Sequence, residues 1–223
     1  PNKMIRKVVG GFHSGLEINF EGEKKSRYTS FFGNVVLPRQ TRLNINISVK
    51  PFSRFKNVDL ENLWDLSVNI NSHFNKSIAL GGSFSKGVNT VTFLDVPEKG
   101  NSASFSFWTK LKVSDRIQVG GTYENYQMTT QDKKKEHYSG YLTGIRMNYQ
   151  YNQALSFRLL GQYNDFNQTF QLQPLLSYQP SPFTIFYIGS TSNQVAENLS
   201  MDSIRDGQAK DRQLFLKFQY LFN

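Results

Sequence analysis

The segment before Asn223 constrains the fold more than any other stretch of the chain: Gln213 to Phe222 reads QLFLKFQYLF. Counting back from Phe222, every second residue is large and apolar: Tyr220, Phe218, Leu216 and Leu214. Between them stand Lys217 and Gln219, which a soluble core would tolerate only with buried partners. A strand turns successive side chains to opposite faces, so the segment predicts a strand with one aromatic, apolar face and one mostly wet face. Two settings suit such a strand. One is the edge of a soluble sheet; the other is a membrane barrel, with the apolar face on lipid and the polar face on the lumen.

The alternation recurs along the chain. Leu155, Phe157, Leu159, Gly161 and Tyr163 oppose Ser156, Arg158, Leu160 and Gln162. Phe170, Leu172, Pro174, Leu176 and Tyr178 oppose Gln171, Gln173, Leu175 and Ser177. Ala103, Phe105, Phe107, Thr109 and Leu111 oppose Ser104, Ser106, Trp108 and Lys110, and Leu43 to Val49 alternates in the same way with Asn44 to Lys50. Further strands are predicted at Ile117 to Tyr126, Tyr138 to Tyr149, Phe183 to Ser190 and Ser77 to Ser85. Weaker patterns cover Leu63 to Asn71, Thr29 to Leu37 and Leu16 to Phe20. That makes about twelve strands, each near the ~9–11 residues that a tilted membrane strand needs.

Connection lengths give a second criterion, because outer-membrane barrels join strands by short turns on one side and longer loops on the other. Asn193 to Lys210, Gln127 to His137, Lys86 to Ser102 and Phe52 to Asn62 read as long connections. Gln179 to Pro182, Gln150 to Ala154, Lys112 to Arg116, Phe74 to Lys76 and Pro38 to Thr41 read as short ones, with Asn164 to Thr169 intermediate. The expectation is an all-β, antiparallel transmembrane β-barrel of the outer-membrane type, a single domain over residues 1–223. A helical turn is expected within Asn193 to Arg205 at most. A mean hydropathy of −0.49 excludes a bundle of membrane helices but not a barrel, in which half of each strand is polar. Aromatics at 14% suit interfacial girdles.

The terminal pattern resembles the C-terminal signal of bacterial outer-membrane barrels, with a final Phe222, an aromatic at Tyr220 and alternating hydrophobics at Phe218, Leu216 and Leu214. Two stretches carry a narrower resemblance. Leu155 to Thr191 and Asp211 to Phe222 contain Arg158, Gln162, Tyr163, Phe166, Leu175, Tyr178, Pro182, Thr184 and Tyr187, then Arg212, Phe215, Lys217, Tyr220 and Phe222. Their order resembles the C-terminal part of the Bacteroidetes family DUF5916, whose members often carry an N-terminal domain like carbohydrate-binding module family 9. The resemblance implies that this chain is the C-terminal part of a longer protein; its strands then either complete a larger barrel with others from the same protein or close alone as a modest barrel with a narrow lumen. Pro1 is not an initiator, so any export signal is expected upstream.

No catalytic constellation is legible, and no enzyme activity or cofactor is expected. His13, His73 and His137 fall in separate strands or loops without metal-ligand spacing, which predicts surface or interface histidines. Asp202, Asp206 and Gly207 lack the full ligand spacing of a calcium loop. Gly81, Gly82, Gly120 and Gly121 lie within strands, where glycine marks a bend, a bulge or close packing. The net charge of +9 is scattered, and its one short run, Lys133 to Lys135, reads as a solvated loop rather than a nucleic-acid patch. Cysteine is absent, so no disulfide framework exists.

The functional residues of a barrel are its lining and its loops. The predicted inward set is Lys50, Lys110, Gln118, Glu124, Arg146, Arg158, Gln171, Gln173, Lys217 and Gln219, with cations in excess. An open channel so lined would favour anions; alternatively, these side chains pair with carboxylates and plug a narrow barrel. Leu214, Leu216, Phe218, Tyr220 and Phe222 form the expected assembly signal. The expected partners are outer-membrane lipid, the barrel-insertion machinery and other envelope proteins, with no nucleic acid. Three functional readings remain: an outer-membrane anchor or component of an envelope assembly, a pore or transporter with a slightly cationic lumen, and a soluble all-β glycan binder.

Overall fold

The computed structural model describes residues 4–195 and 211–222. Twelve antiparallel strands follow one another in chain order, and no helix occurs among the described residues. They are β1 (Lys7–Ile18), β2 (Lys24–Val36), β3 (Arg42–Phe55), β4 (Val58–His73), β5 (Ile78–Val91) and β6 (Glu98–Lys112). The second half comprises β7 (Ile117–Thr130), β8 (Glu136–Gln150), β9 (Leu155–Asn164), β10 (Thr169–Ser181), β11 (Thr184–Val195) and β12 (Asp211–Tyr220). The all-β class, the antiparallel order and the number of strands agree with the sequence pattern.

The connections differ from that pattern. The long loops expected at Phe52 to Asn62, Lys86 to Ser102 and Gln127 to His137 shrink to residues 56–57, 92–97 and 131–135. The backbone ladder continues past the hydrophobic alternation, because strand pairing satisfies N–H and C=O groups that an irregular loop would leave to solvent. At the tip of β3 and β4, Lys56 and Asn57 have φ of 47° and 63°. Both lie in the left-handed region, the mirror-image turn whose twist matches a hairpin. The parity of long and short loops therefore weakens, and strand extension replaces it. Strand β4 has 16 residues, while β6 and β8 have 15 each, well beyond the ~9–11 that cross a bilayer. Strand β1 also begins at Lys7, well before the expected Leu16. Of the connection expected from Asn193 to Lys210, strand β11 takes the start. The remainder, with the helical turn and Asp202, Asp206 and Gly207, lies outside the described residues.

The chain packs as two compact units. The first comprises Pro1–Asn75, Ala79–Phe107 and Glu124–Ser139. Its register sets Phe12 beside Phe31, Phe31 beside Ile47 and Ile47 beside Leu66 on one face. The opposite face is a ladder of hydroxyls and amides with Lys50 and Asp65 among them. Ser30 Oγ donates to Ser48 Oγ at 2.9 Å, and the Ser83–Ser106 and Ser85–Ser104 hydroxyl pairs lie at 2.7 and 2.8 Å. On the apolar face Gly82, opposite Ile70, is needed where β5 closely approaches β6, since a Cβ there would sit 2.7 Å from the Ser106 carbonyl oxygen. The buried cluster is small: Leu60, Leu63 and Val88, with Val58 against it.

The second unit comprises Lys76–Ile78, Trp108–Tyr123 and Gly140–Asn223. Its register runs Met147 to Leu159 to Pro174, and Leu176 to Ile188 to Leu216, along one face. On the other face Arg158 meets Leu175, and Ser177 meets Tyr187, which meets Lys217. A single-residue slip would exchange these faces completely, so the two-sided pattern itself fixes the register.

Candidate functional site: the polar face and the aromatic rows

The polar face of the second unit is assembled from β6 to β12. Gly144 directs its missing side chain toward Thr122 Oγ1 and Gln162 Cγ, at 3.0 and 3.6 Å from an ideal Cβ. Gly121 faces Thr109 Cγ2 instead, at 3.6 Å. Strand alternation then puts Lys110, Gln118, Gly120 and Thr122 on the side of Arg146. Trp108, Lys110, Gln118, Arg146, Asn148 and Gln162 line one cavity of about 470 Å³. Gln118 and Asn148 also border a second one of about 540 Å³, which Arg116, Arg158, Ser177 and Tyr187 help to line.

The six charged residues expected to point inward are thus placed as follows. Lys110 and Arg146 share the first cavity, and Arg158 lines the second. Lys217 lies opposite Tyr187 on the same face. Glu124 accepts a hydrogen bond from the Tyr126 hydroxyl at 2.7 Å. Lys50 belongs to the polar face of the first unit, opposite Leu63 and within electrostatic reach of Asp65. Gln171 pairs with Gln162 and Asn193, Gln173 with Leu160, and Gln219 with Ile185. Among the described residues, Lys110, Arg146, Arg158 and Lys217 form no ion pair; the salt bridges present involve other residues.

At the turn after β6, Asp115 Oδ1 lies 2.5 Å from Lys112 Nζ. The hydrogen bond and charge of Lys112 hold the Asp115 carboxyl below its ordinary range. In the 131–135 turn, the Thr130 hydroxyl and the Lys134 backbone N–H lower Asp132 likewise.

The apolar face of the second unit carries two aromatic rows. Tyr123, Tyr141 and Tyr163, on three successive strands, have neighbouring ring centroids 5.7 Å apart. At the other end Tyr178, Phe186 and Phe218 continue ring to ring at 6.3 and 5.0 Å. Leu155 pairs with Tyr178, so the eight residue steps from Leu155 to Tyr163 in β9 measure the distance between the rows. They span about 26 Å of strand, or about 20 Å of height at a tilt of about 40°. The side chains between are mostly apolar, with Tyr149, Ser190, Ser192 and Arg212 on the same face, and the sheet leaves the aliphatic ones uncovered: Leu172 is 36%, Ile188 51% and Leu216 76% exposed.

The C-terminal residues continue this face. Leu214, Leu216, Phe218 and Tyr220 pair with Ser190, Ile188, Phe186 and Thr184, and the Phe222 ring lies 4.8 Å from that of Tyr220. The three histidines do sit in separate strands, β1, β4 and β8. His13 and His73 are exposed, but His137 corrects the surface expectation. Its side chain is only 4% exposed, with Nε2 2.9 Å from Glu98 Oε1 outside hydrogen-bond alignment and Phe93 set edge-on against its ring. Unrecognised at the sequence level were Gly144, Asn148 and Gln162 as cavity walls. Their only signal was polarity or small size at alternate positions, which any wet strand face shares.

No protein-family model matches the chain, and no curated protein matches it. Among solved structures, it is similar to KdgM porin, both alone and in complex with disordered oligogalacturonate. Each match has 13% identity and covers 97% of this chain and 100% of the other, with TM-scores of 0.38 and 0.37 respectively.

Proposed function

We propose that this chain is an outer-membrane β-barrel whose polar face lines an aqueous passage favouring small anions. The sidedness of the second unit's strands carries the reading. One face is an uncovered, predominantly apolar band between two aromatic rows, interrupted by Ser190, Ser192 and Arg212, and the other holds Lys110, Arg146, Arg158 and Lys217 without ion pairs. An apolar surface of that extent needs an apolar solvent. The height between the rows approaches the apolar band of about 25 Å on such barrels. Unpaired cations on the opposite face need water, and a wet lining of that sign favours anions. Anchoring of a larger envelope assembly is compatible with the same barrel but leaves those cations without a task.

Planar bilayers containing purified protein test this directly. Stepwise conductance is expected, with a reversal potential in a KCl gradient that favours chloride. Absence of steps, or a preference for potassium, would contradict the passage. We also propose, from the DUF5916-like residues, that the chain is the C-terminal part of a longer polypeptide, which the upstream coding sequence would test.

A further inference from the structure

The first cavity has a construction that a merely wet wall does not require. We propose that it binds a small sugar bearing one anionic group, a carboxylate or a phosphate monoester. The proposal rests on the reading of this face as the lining of an aqueous passage. Gly120 and Gly144 form the floor of the cavity. A Cβ at Gly120 would meet the Thr109 carbonyl oxygen at 3.2 Å, and one at Gly144 would meet Thr122 Oγ1 at 3.0 Å. With neither present, the space between the flanking side chains stays open.

Lys110 on β6 and Arg146 on β8 stand on either side of β7, and both line the cavity. Adjacent strands lie about 4.8 Å apart, so the backbones carrying these cations are separated by roughly 10 Å, room for a ring rather than a bare ion. The Arg146 fork suits the two oxygens of a carboxylate or phosphate, and Lys110 adds a point charge. No carboxylate lines the cavity to compete with them. Trp108 offers an apolar ring to a sugar face, and the Gln162 amide a donor and an acceptor for hydroxyls. The volume of about 470 Å³ falls within the ~300–1,000 Å³ of small-molecule sites. An inorganic anion would use the cations but leave the indole and the amide idle, and a neutral sugar would do the opposite.

The chain has two tryptophans, Trp64 and Trp108, so Trp64→Phe leaves Trp108 as a reporter within the cavity. Detergent-solubilised W64F protein would be titrated with glucuronate, glucose 6-phosphate, glucose and inorganic phosphate. Saturable emission changes are expected for the first two, with glucose and inorganic phosphate weaker by about tenfold or more. Adding K110Q and R146Q should weaken the charged sugars by at least about tenfold, while Lys134→Gln in the 131–135 turn should change nothing. Should the double variant fail to fold, Gly144→Leu fills the slot and is expected to have the same effect. Equal binding of glucose and glucose 6-phosphate, inorganic phosphate binding as tightly as the sugar phosphate, or no saturable change would overturn the site. Binding is read without any current, so a positive titration alongside silent bilayers would fail the passage and keep the site. Conductance without a titration signal would do the reverse.

Discussion

Phe186 and Phe218 meet ring to ring across the β11–β12 ladder, 5.0 Å between centroids, while the next register pair, Tyr187 and Lys217, faces the opposite way. One hydrogen-bonded ladder thus holds an aromatic row and a cationic wall back to back.

Neighbouring residues of β10 should respond oppositely to the same change. Leu172 lies on the apolar face and Gln173 on the polar one. Leu172→Arg would place a charge in the lipid band and is expected to destabilise the folded protein in bilayers by about 2–4 kcal/mol. Gln173→Arg should leave stability within about 0.5 kcal/mol of the parent. Urea unfolding in lipid vesicles measures both, and equal losses would refute the sidedness.

The C-terminal residues should govern assembly more than stability. Phe222→Ala with Tyr220→Ala removes exposed aromatic area at the rim, a loss of a few kcal/mol by area. Strand pairing through Thr184 and Gln219's neighbour Ile185 is untouched. The double variant should fold in detergent yet be depleted from outer membranes in cells, where unassembled chains expose strand edges. Normal abundance in the outer membrane would reduce these residues to ordinary interfacial aromatics.

Much of this division was legible in the sequence, because a period of two survives wherever one face meets a uniform apolar surroundings. Leu155 to Tyr163 shows it cleanly. The hairpin ends were not legible. Glu98, Lys99, Gly100 and Asn101 have no alternation, yet β6 begins at Glu98 because backbone pairing alone extends it. Lys86 reads as a loop residue, but it pairs with Leu66 within β5. The cavity was legible in its cations and in Gln118; Gly120 read as a bend, a bulge or close packing, Gly144 carried no reading, and their role as open floor emerges from what flanks them. The burial of His137 depends on Phe93 and Glu98, distant in sequence, and no local pattern announces such a contact.

Charge on the polar face should set selectivity. Arg158→Glu reverses one of the unpaired cations beside Asn148 and Leu175. The chloride-to-potassium permeability ratio is expected to fall roughly twofold or more, with little change in stability. A ratio indistinguishable from the parent would place Arg158 away from the conduction path.

The Lys112–Asp115 pair gives a pH-dependent contribution at the turn between β6 and β7. Asp115 is lowered in the folded state, so the contribution is present above the unfolded value, about 3.9, and fades as pH falls through the folded value. Because the Asp115 side chain is 94% exposed, the effect is small. Lys112→Gln should lower the unfolding midpoint slightly at pH 7 and match the parent once the pH has fallen below the folded value. A difference that persisted in acid would assign it to packing of the Lys112 stem.

The central claim is that alternate residues of these strands face lipid and water, and site-directed spin labelling along β9 tests it most directly. Labels placed singly from Leu155 to Tyr163 in protein reconstituted into vesicles would be examined for collision with oxygen, which concentrates in lipid, and with a water-soluble nickel complex. Oxygen accessibility should peak at Leu155, Phe157, Leu159 and Gly161, and nickel accessibility at Ser156, Arg158, Leu160 and Gln162. Uniform nickel accessibility on both faces, or peaks at the opposite positions, would contradict the account.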